Sequence, residues 1–198
     1  MTVHAAFSRT FPSRACRKSL LVWLILSTLA AAQDKKQTFA SSHGFSLQYP
    51  MDWEFRGRPS HFRIDNFPVS QWRKGSGLPP DGASIIVMVP RELSESKGIP
   101  TPSTLDQWVT LGTGSQAVES RRMFEIGESP RPLRITEVRT LCCAVPPFQE
   151  SVTWYFAIGA RLFSATLLRR QGEGTESQLR ILREIVLSIR VKQSTSGG

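Results

Sequence analysis

Two adjacent cysteines, Cys142 and Cys143, have the type and spacing that most directly invite chemistry. On a strand, neighbouring side chains point to opposite faces, so one thiol faces a core and the other does not. Consecutive Cα atoms lie about 3.8 Å apart, below the usual disulfide span, so a bond between them needs strained local geometry. Three states stay open: two small half-buried thiols, a vicinal disulfide, and thiols used between chains or on a metal.

Beyond residue 32 the histidines are His43 and His61. A zinc site takes about four ligands, or three and a water. Asp52 and Asp65 are available to join the two imidazoles, but no H-E-x-x-H or C-x-x-C spacing enforces a site. No metal and no cofactor is therefore assigned. There is no G-x-S-x-G elbow and no phosphate-binding loop, and Gly112-Thr113-Gly114 and Gly172-Glu173-Gly174 lack the third glycine of a dinucleotide fingerprint. Nothing in the spacing pairs any two of the 16 acidic residues. No catalytic residue is assigned, and the chain is read as non-enzymatic.

Basic residues come as scattered pairs: Arg56/Arg58, Arg73/Lys74, Arg121/Arg122, Arg131/Arg134 and Arg169/Arg170. Nucleic-acid binding calls for clustered cations with aromatic platforms. Arg56, Arg58, His61, Phe62 and Arg63 come nearest, and a nucleic-acid partner is not expected. The segment Trp72-Arg73-Lys74-Gly75-Ser76-Gly77 joins an aromatic ring, two cations and flexible glycines. Loops on a rigid scaffold often carry binding, so Trp72, Arg73 and Lys74 form the expected contact surface.

Positioning these residues falls to one domain behind a leader. The 198 residues carry a net charge of +9 and are 40% hydrophobic, a globular composition and not a disordered one. Residues 1–32 hold Arg9, Arg14, Arg17 and Lys18 with no acid, then an apolar run from Leu20 to Leu29, then Ala30-Ala31-Ala32. That is the pattern of a cleaved signal peptide, and the run is shorter than the roughly 20 residues of a membrane span. Removing it leaves 21 basic against 16 acidic residues, or +5. The expected location is periplasmic or secreted, with no transmembrane span after cleavage.

The polar stretch 33–43 predicts a flexible entry segment. Phe45, Leu47 and Tyr49 alternate with Ser46 and Gln48, predicting a strand. Phe62 and Ile64 suggest a second, and Ala83–Val89 a strand buried on both faces. Residues 90–102 read as a loop. Thr104 and Gln107 fit a capping box, with Leu105, Trp108, Val109 and Leu111 at helical spacing and Gly112 as the stop. Leu133–Cys142 predicts a strand. Ser151–Arg169 predicts a hairpin turning at Gly159-Ala160-Arg161, in mid-sheet. Thr175 to Gln178 open a closing helix with Leu179, Leu182, Ile185, Val186 and Ile189 on one stripe. Residues 192–198 are read as a disordered tail.

The opening Gly44-Phe45-Ser46-Leu47-Gln48-Tyr49-Pro50-x-Asp52-Trp53 resembles the first strand of the PsbP/Mog1-like family, and the order of the later elements matches over Thr38–Val191. The resemblance implies an α+β fold over 44–191: an antiparallel β-sheet with helices on both faces, an α/β/α sandwich. It also implies binding or assembly instead of catalysis, and it carries over no functional residue. The expected function is an exported, non-enzymatic domain that binds or helps assemble a protein or envelope component. A small-ligand carrier or a metal-dependent hydrolase with a dispersed site is the alternative.

Overall fold

A computed structural model describes residues 35–71, 78–114, 116–128, 130–142, 149–170 and 176–192. Lys36–Gly198 forms one compact unit. Its first strand, β1 (Lys36–Ala40), runs through the segment whose polarity predicts a flexible entry. The reason is one residue: Phe39, 8% exposed, packs on Phe45 and Phe62, and a single apolar side chain leaves no alternation to read.

Strand β2 (Phe45–Pro50) keeps the predicted phase, with Phe45, Leu47 and Tyr49 buried. A short β3 (Glu54–Phe55) precedes β4 (Phe62–Asp65) and β5 (Ala83–Met88). A helix, α1 (Pro90–Lys97), then occupies part of the expected loop. Pro90 sits in the first turn, where its missing N–H costs nothing. Gly98, at φ +64°, caps the end by donating to the Ser94 carbonyl. Leu93 is the only large aliphatic residue in α1, so no apolar stripe announces the helix.

Helix α2 (Leu105–Thr113) starts where the capping pattern places it: the Thr104 hydroxyl accepts from the Gln107 amide, while the Gln107 side chain accepts from Ser103. It continues through Gly112 and ends at Gly114. Gly112 is a contact residue, not a stop, because a Cβ there would lie 2.3 Å from the Tyr155 hydroxyl. Strands β6 (Val118–Ile126), β7 (Leu133–Cys142), β8 (Gln149–Ile158) and β9 (Arg161–Arg170) follow. Gly159, at φ +61°, makes the tight β8–β9 turn. Helix α3 (Glu176–Ser188) and β10 (Arg190–Val191) close the chain.

Every strand pairing is antiparallel. One sheet has the order β3-β4-β5-β9-β8-β7-β6, and a smaller one β1-β2-β10. The fold is thus a mixed α/β one dominated by antiparallel sheet, and the 151–169 hairpin lies mid-sheet as its apolar faces predict. The main core joins Leu182, Ile185, Val186 and Ile189 to Phe45, Ile85, Trp154, Phe156 and Phe163. A second cluster joins Trp108 and Val109 to Val138 and Tyr155, with Leu93 and Leu162 against it.

Candidate functional site

The register of the large sheet sets two unlike surfaces back to back. One carries the lateral rows Thr140-Ser151-Leu168-Ser84, Val138-Thr153-Thr166-Ile86 and Thr136-Tyr155-Ser164-Met88. Eight of these twelve positions bear a hydroxyl, whereas sheet faces under helices are ordinarily apolar. The hydroxyls bond across strands: Thr140 with Ser151 at 2.7 Å and Thr153 with Thr166 at 3.1 Å. Thr140 also donates to the Gln116 side chain at 3.2 Å. Above this floor is a cavity of about 310 Å³, walled by α1 and α2 through Leu93, Lys97, Trp108 and Gly112. Burial pushes the Tyr155 phenol up to about 12, so it stays a neutral donor at any physiological pH.

The opposite surface carries the core and, toward one end, a ladder of charges. Arg122 donates twice to Glu137, at 2.7 and 3.2 Å; Arg139 donates to Glu137 at 3.0 Å and to Glu150 at 3.2 Å. Arg169 donates to Glu150 at 3.0 Å. The Trp154 indole N–H adds a bond to Glu137 at 2.9 Å. Burial pushes the Glu137 carboxyl up, but the hydrogen bonds from Arg122, Arg139 and Trp154 together outweigh it and hold the group below the usual carboxylate range. A carboxylate held ionised by three donors is a poor proton carrier, so the ladder is structural.

The residues weighed for a metal do not converge. His61 meets Glu92 across 2.8 Å, and fully buried Asp65 lies 3.1 Å from Arg56. His43 lines a different cavity of about 650 Å³ with Arg91 and Arg161, at the β8–β9 turn. Among the described residues no group of three or more His, Cys, Asp or Glu could hold a metal ion. The basic-aromatic group disperses too: Phe62 is fully buried and offers no face for a base, and Arg56 is held by Asp65 and the Phe67 carbonyl. Trp72, Arg73, Lys74 and Cys143 lie outside the described residues, as does residues 1–34. Cys142 is the last residue of β7, and its side chain is likewise outside them.

Sequence reasoning assigned nothing to β6. It lies at the end of the seven-strand order, pairs with β7 on one flank, and among the described residues pairs with no strand on the other. Seven of its nine positions are exposed, and Met123 is 73% exposed. Exposure on both faces removes the alternation that reveals a strand.

No family model matches the chain, and no curated protein matches it. Among solved structures it is similar to a Bacteroides thetaiotaomicron VPI-5482 protein, with 14% identity and TM-score 0.49, covering 84% of this chain and 51% of that one. The chain therefore spans about half the length of that protein. It is also similar to the Saccharomyces cerevisiae Ran-binding protein Mog1p, with 10% identity and TM-score 0.43 over 80% of this chain and 96% of that one. A third is cyanobacterial PsbP (CyanoP) from Synechocystis sp. PCC 6803, with 10% identity and TM-score 0.40 over 81% and 95%. These are likenesses of fold, consistent with the PsbP/Mog1-like resemblance of the Gly44–Trp53 opening.

Proposed function

We propose that this chain is an exported, non-enzymatic binding domain that engages a protein or envelope component through the open edge of its large sheet. The observation that carries the reading is β6: nine residues long, solvent-exposed, with one flank of backbone N–H and C=O groups free of strand pairing among the described residues. Such an edge is a template for an added strand, in which main-chain hydrogen bonds supply affinity and alternate side chains supply selectivity. Glu119, Arg121, Arg122 and Glu125 on the same strand guard it against indiscriminate pairing. The basic leader and the Ala30–Ala32 site support export to the periplasm or beyond. No helix among the described residues is long and apolar enough to cross a membrane.

A rigid scaffold supports this role. We read the large sheet as a sandwich, with α1 and α2 against the face of Tyr155 and α3 with the small sheet against the face of Trp154 and Phe156. The acids and bases of the ladder and of the His61–Glu92 pair are engaged with one another, which supports binding over catalysis. The test places a photocrosslinking residue at Met123 of the full chain in its native cell, and a control at Leu187 of α3. A reproducible protein or envelope adduct from position 123, absent from position 187, is the expected result. No adduct at 123, or the same adducts from both, would overturn the edge as the binding surface.

A further inference from the structure

We infer that the cavity between the hydroxyl-bearing face of the large sheet and helices α1 and α2 is a binding site for a polyol the size of one sugar ring. This is independent of the edge-strand reading. At about 310 Å³ the cavity lies at the lower end of small-ligand sites. Its floor is made by Ser151, Thr153, Ser164 and Thr166 on the adjacent strands β8 and β9. A hydroxyl both donates and accepts, so four of them on rigid strands match a ligand that does the same along its length.

A floor selected only for packing would carry Val, Ile or Leu, as the other face does at Val152, Leu167, Ile85 and Val87. Ser164 is 3% exposed, and burying a hydroxyl is unfavourable unless it finds a partner; Ser151 has its partner in Thr140 and keeps a second lone pair for a guest. The end wall suits the same guest. Apolar Ile86 and Met88 lie beside the hydroxyls, and Trp108 and Tyr155, packed edge to face at 6.0 Å and 1% and 3% exposed, close the wall behind them without an open ring face. A sugar ring presents C–H faces and hydroxyl edges together, which is the mixture this lining offers. Charge in the wall is sparse, because His61 is matched by Glu92 and Lys97 stands exposed at the rim. The site thus takes a polyol, and Lys97 favours one that carries an acidic group at the cavity mouth.

The probes are D-glucose and D-glucuronate, titrated into the full chain and followed by amide chemical shifts. Saturable shifts on β8, β9 and α2 with Kd in the millimolar range or tighter are expected, with glucuronate the tighter. The informative variant is Thr153→Val with Thr166→Val. The two hydroxyls bond each other, so replacing both by the same shape leaves neither partner orphaned and keeps the fold. Unchanged unfolding with at least tenfold weaker binding of both probes is expected. Lys97→Met should weaken glucuronate several-fold and leave glucose unchanged. Absence of saturable binding by either probe to the wild-type chain, or wild-type affinity in the double Val variant, would overturn the proposal. Equal weakening of both probes by Lys97→Met would overturn the role of the rim.

Discussion

Replacing Gly112 by alanine reports directly on how α2 sits over the sheet. In a solvent-exposed helix the change is favourable by about 1 kcal/mol, because glycine gives up more backbone freedom than alanine. Here the new Cβ would fall 2.3 Å from the Tyr155 hydroxyl, 2.8 Å from Cε1 and 2.9 Å from Cζ. Tyr155 is 3% exposed and wedged edge-on against Trp108, so it has no free rotamer to retreat into. Overpacking of this kind costs about 1–3 kcal/mol. The net expectation for Gly112→Ala is a loss of up to about 2 kcal/mol. At a urea slope of about 2 kcal/mol/M this lowers the midpoint by up to roughly 1 M. The companion variant is Tyr155→Leu, which ends before the three clashing atoms. In that background Gly112→Ala should change sign and stabilise by up to about 1 kcal/mol. A raised midpoint for Gly112→Ala alone, or the same effect in both backgrounds, would refute the close approach of helix to sheet.

Other outcomes follow from the same geometry. The chain has two tyrosines, and burial raises both Tyr49 and Tyr155, the latter to about 12. The Tyr155 phenolate absorbance should be missing at pH 10 in the folded chain and appear there on unfolding, and that of Tyr49 should be smaller in the folded chain than in the unfolded one; the stability Tyr155 contributes is full below about pH 10 and lost as pH rises through about 12. The Glu137 carboxyl is held below its unfolded value, so its contribution is present above the unfolded carboxylate pKa of about 4.3 and lost as pH falls through the lower folded value. Glu137→Gln should cost about 2 kcal/mol at pH 7, because Arg139 and Trp154 lose a charged partner while 60%-exposed Arg122 is resolvated; that deficit should shrink below pH 4 in urea melts, and a pH-independent deficit would show the carboxylate charge to be idle. Arg161 donates to the carbonyls of His43 and Gly44, at 2.8 and 3.0 Å, across more than a hundred residues of chain; Arg161→Met should lower stability by about 1–2 kcal/mol in denaturant unfolding.

The elements readable in advance are those whose burial is one-sided or complete. Phe45, Leu47 and Tyr49 alternate because only one face of β2 is covered, and β8 and β9 carry few charged residues on either face because they lie mid-sheet, buried or half-buried along most of their length. The α3 stripe appears for the same reason, Leu182, Ile185 and Val186 being buried together. Where burial gives no rhythm the pattern is silent. Strand β6 is exposed on both faces, α1 has Leu93 as its one large aliphatic residue, and β1 is anchored by Phe39 alone. Gly112 misleads for a different reason: glycine serves as a helix stop and as a seat for a close neighbour, and only the position of Tyr155 on a strand more than forty residues later decides between them. The hydroxyl floor is invisible in the chain order, because its rows form only when β7, β8, β9 and β5 take their register.

The small sheet has a consequence for how the chain comes into being. Its middle strand, β2, is flanked by β1 near the start of the domain and by β10, whose Arg190 and Val191 pair with Ser46 and Phe45. Helix α3 packs on β2, and its Leu182, Ile185 and Val186 share the main core with Phe45. A polypeptide made from its N-terminus therefore keeps β2 without these partners until α3 and β10 have been made. Such long-range closure slows folding and leaves apolar strands exposed meanwhile. Loss of the last dozen described residues would remove Leu182, Ile185 and Val186 from above the sheet, so a chain cut before Leu182 is expected to expose the apolar strands and not to form a shortened domain.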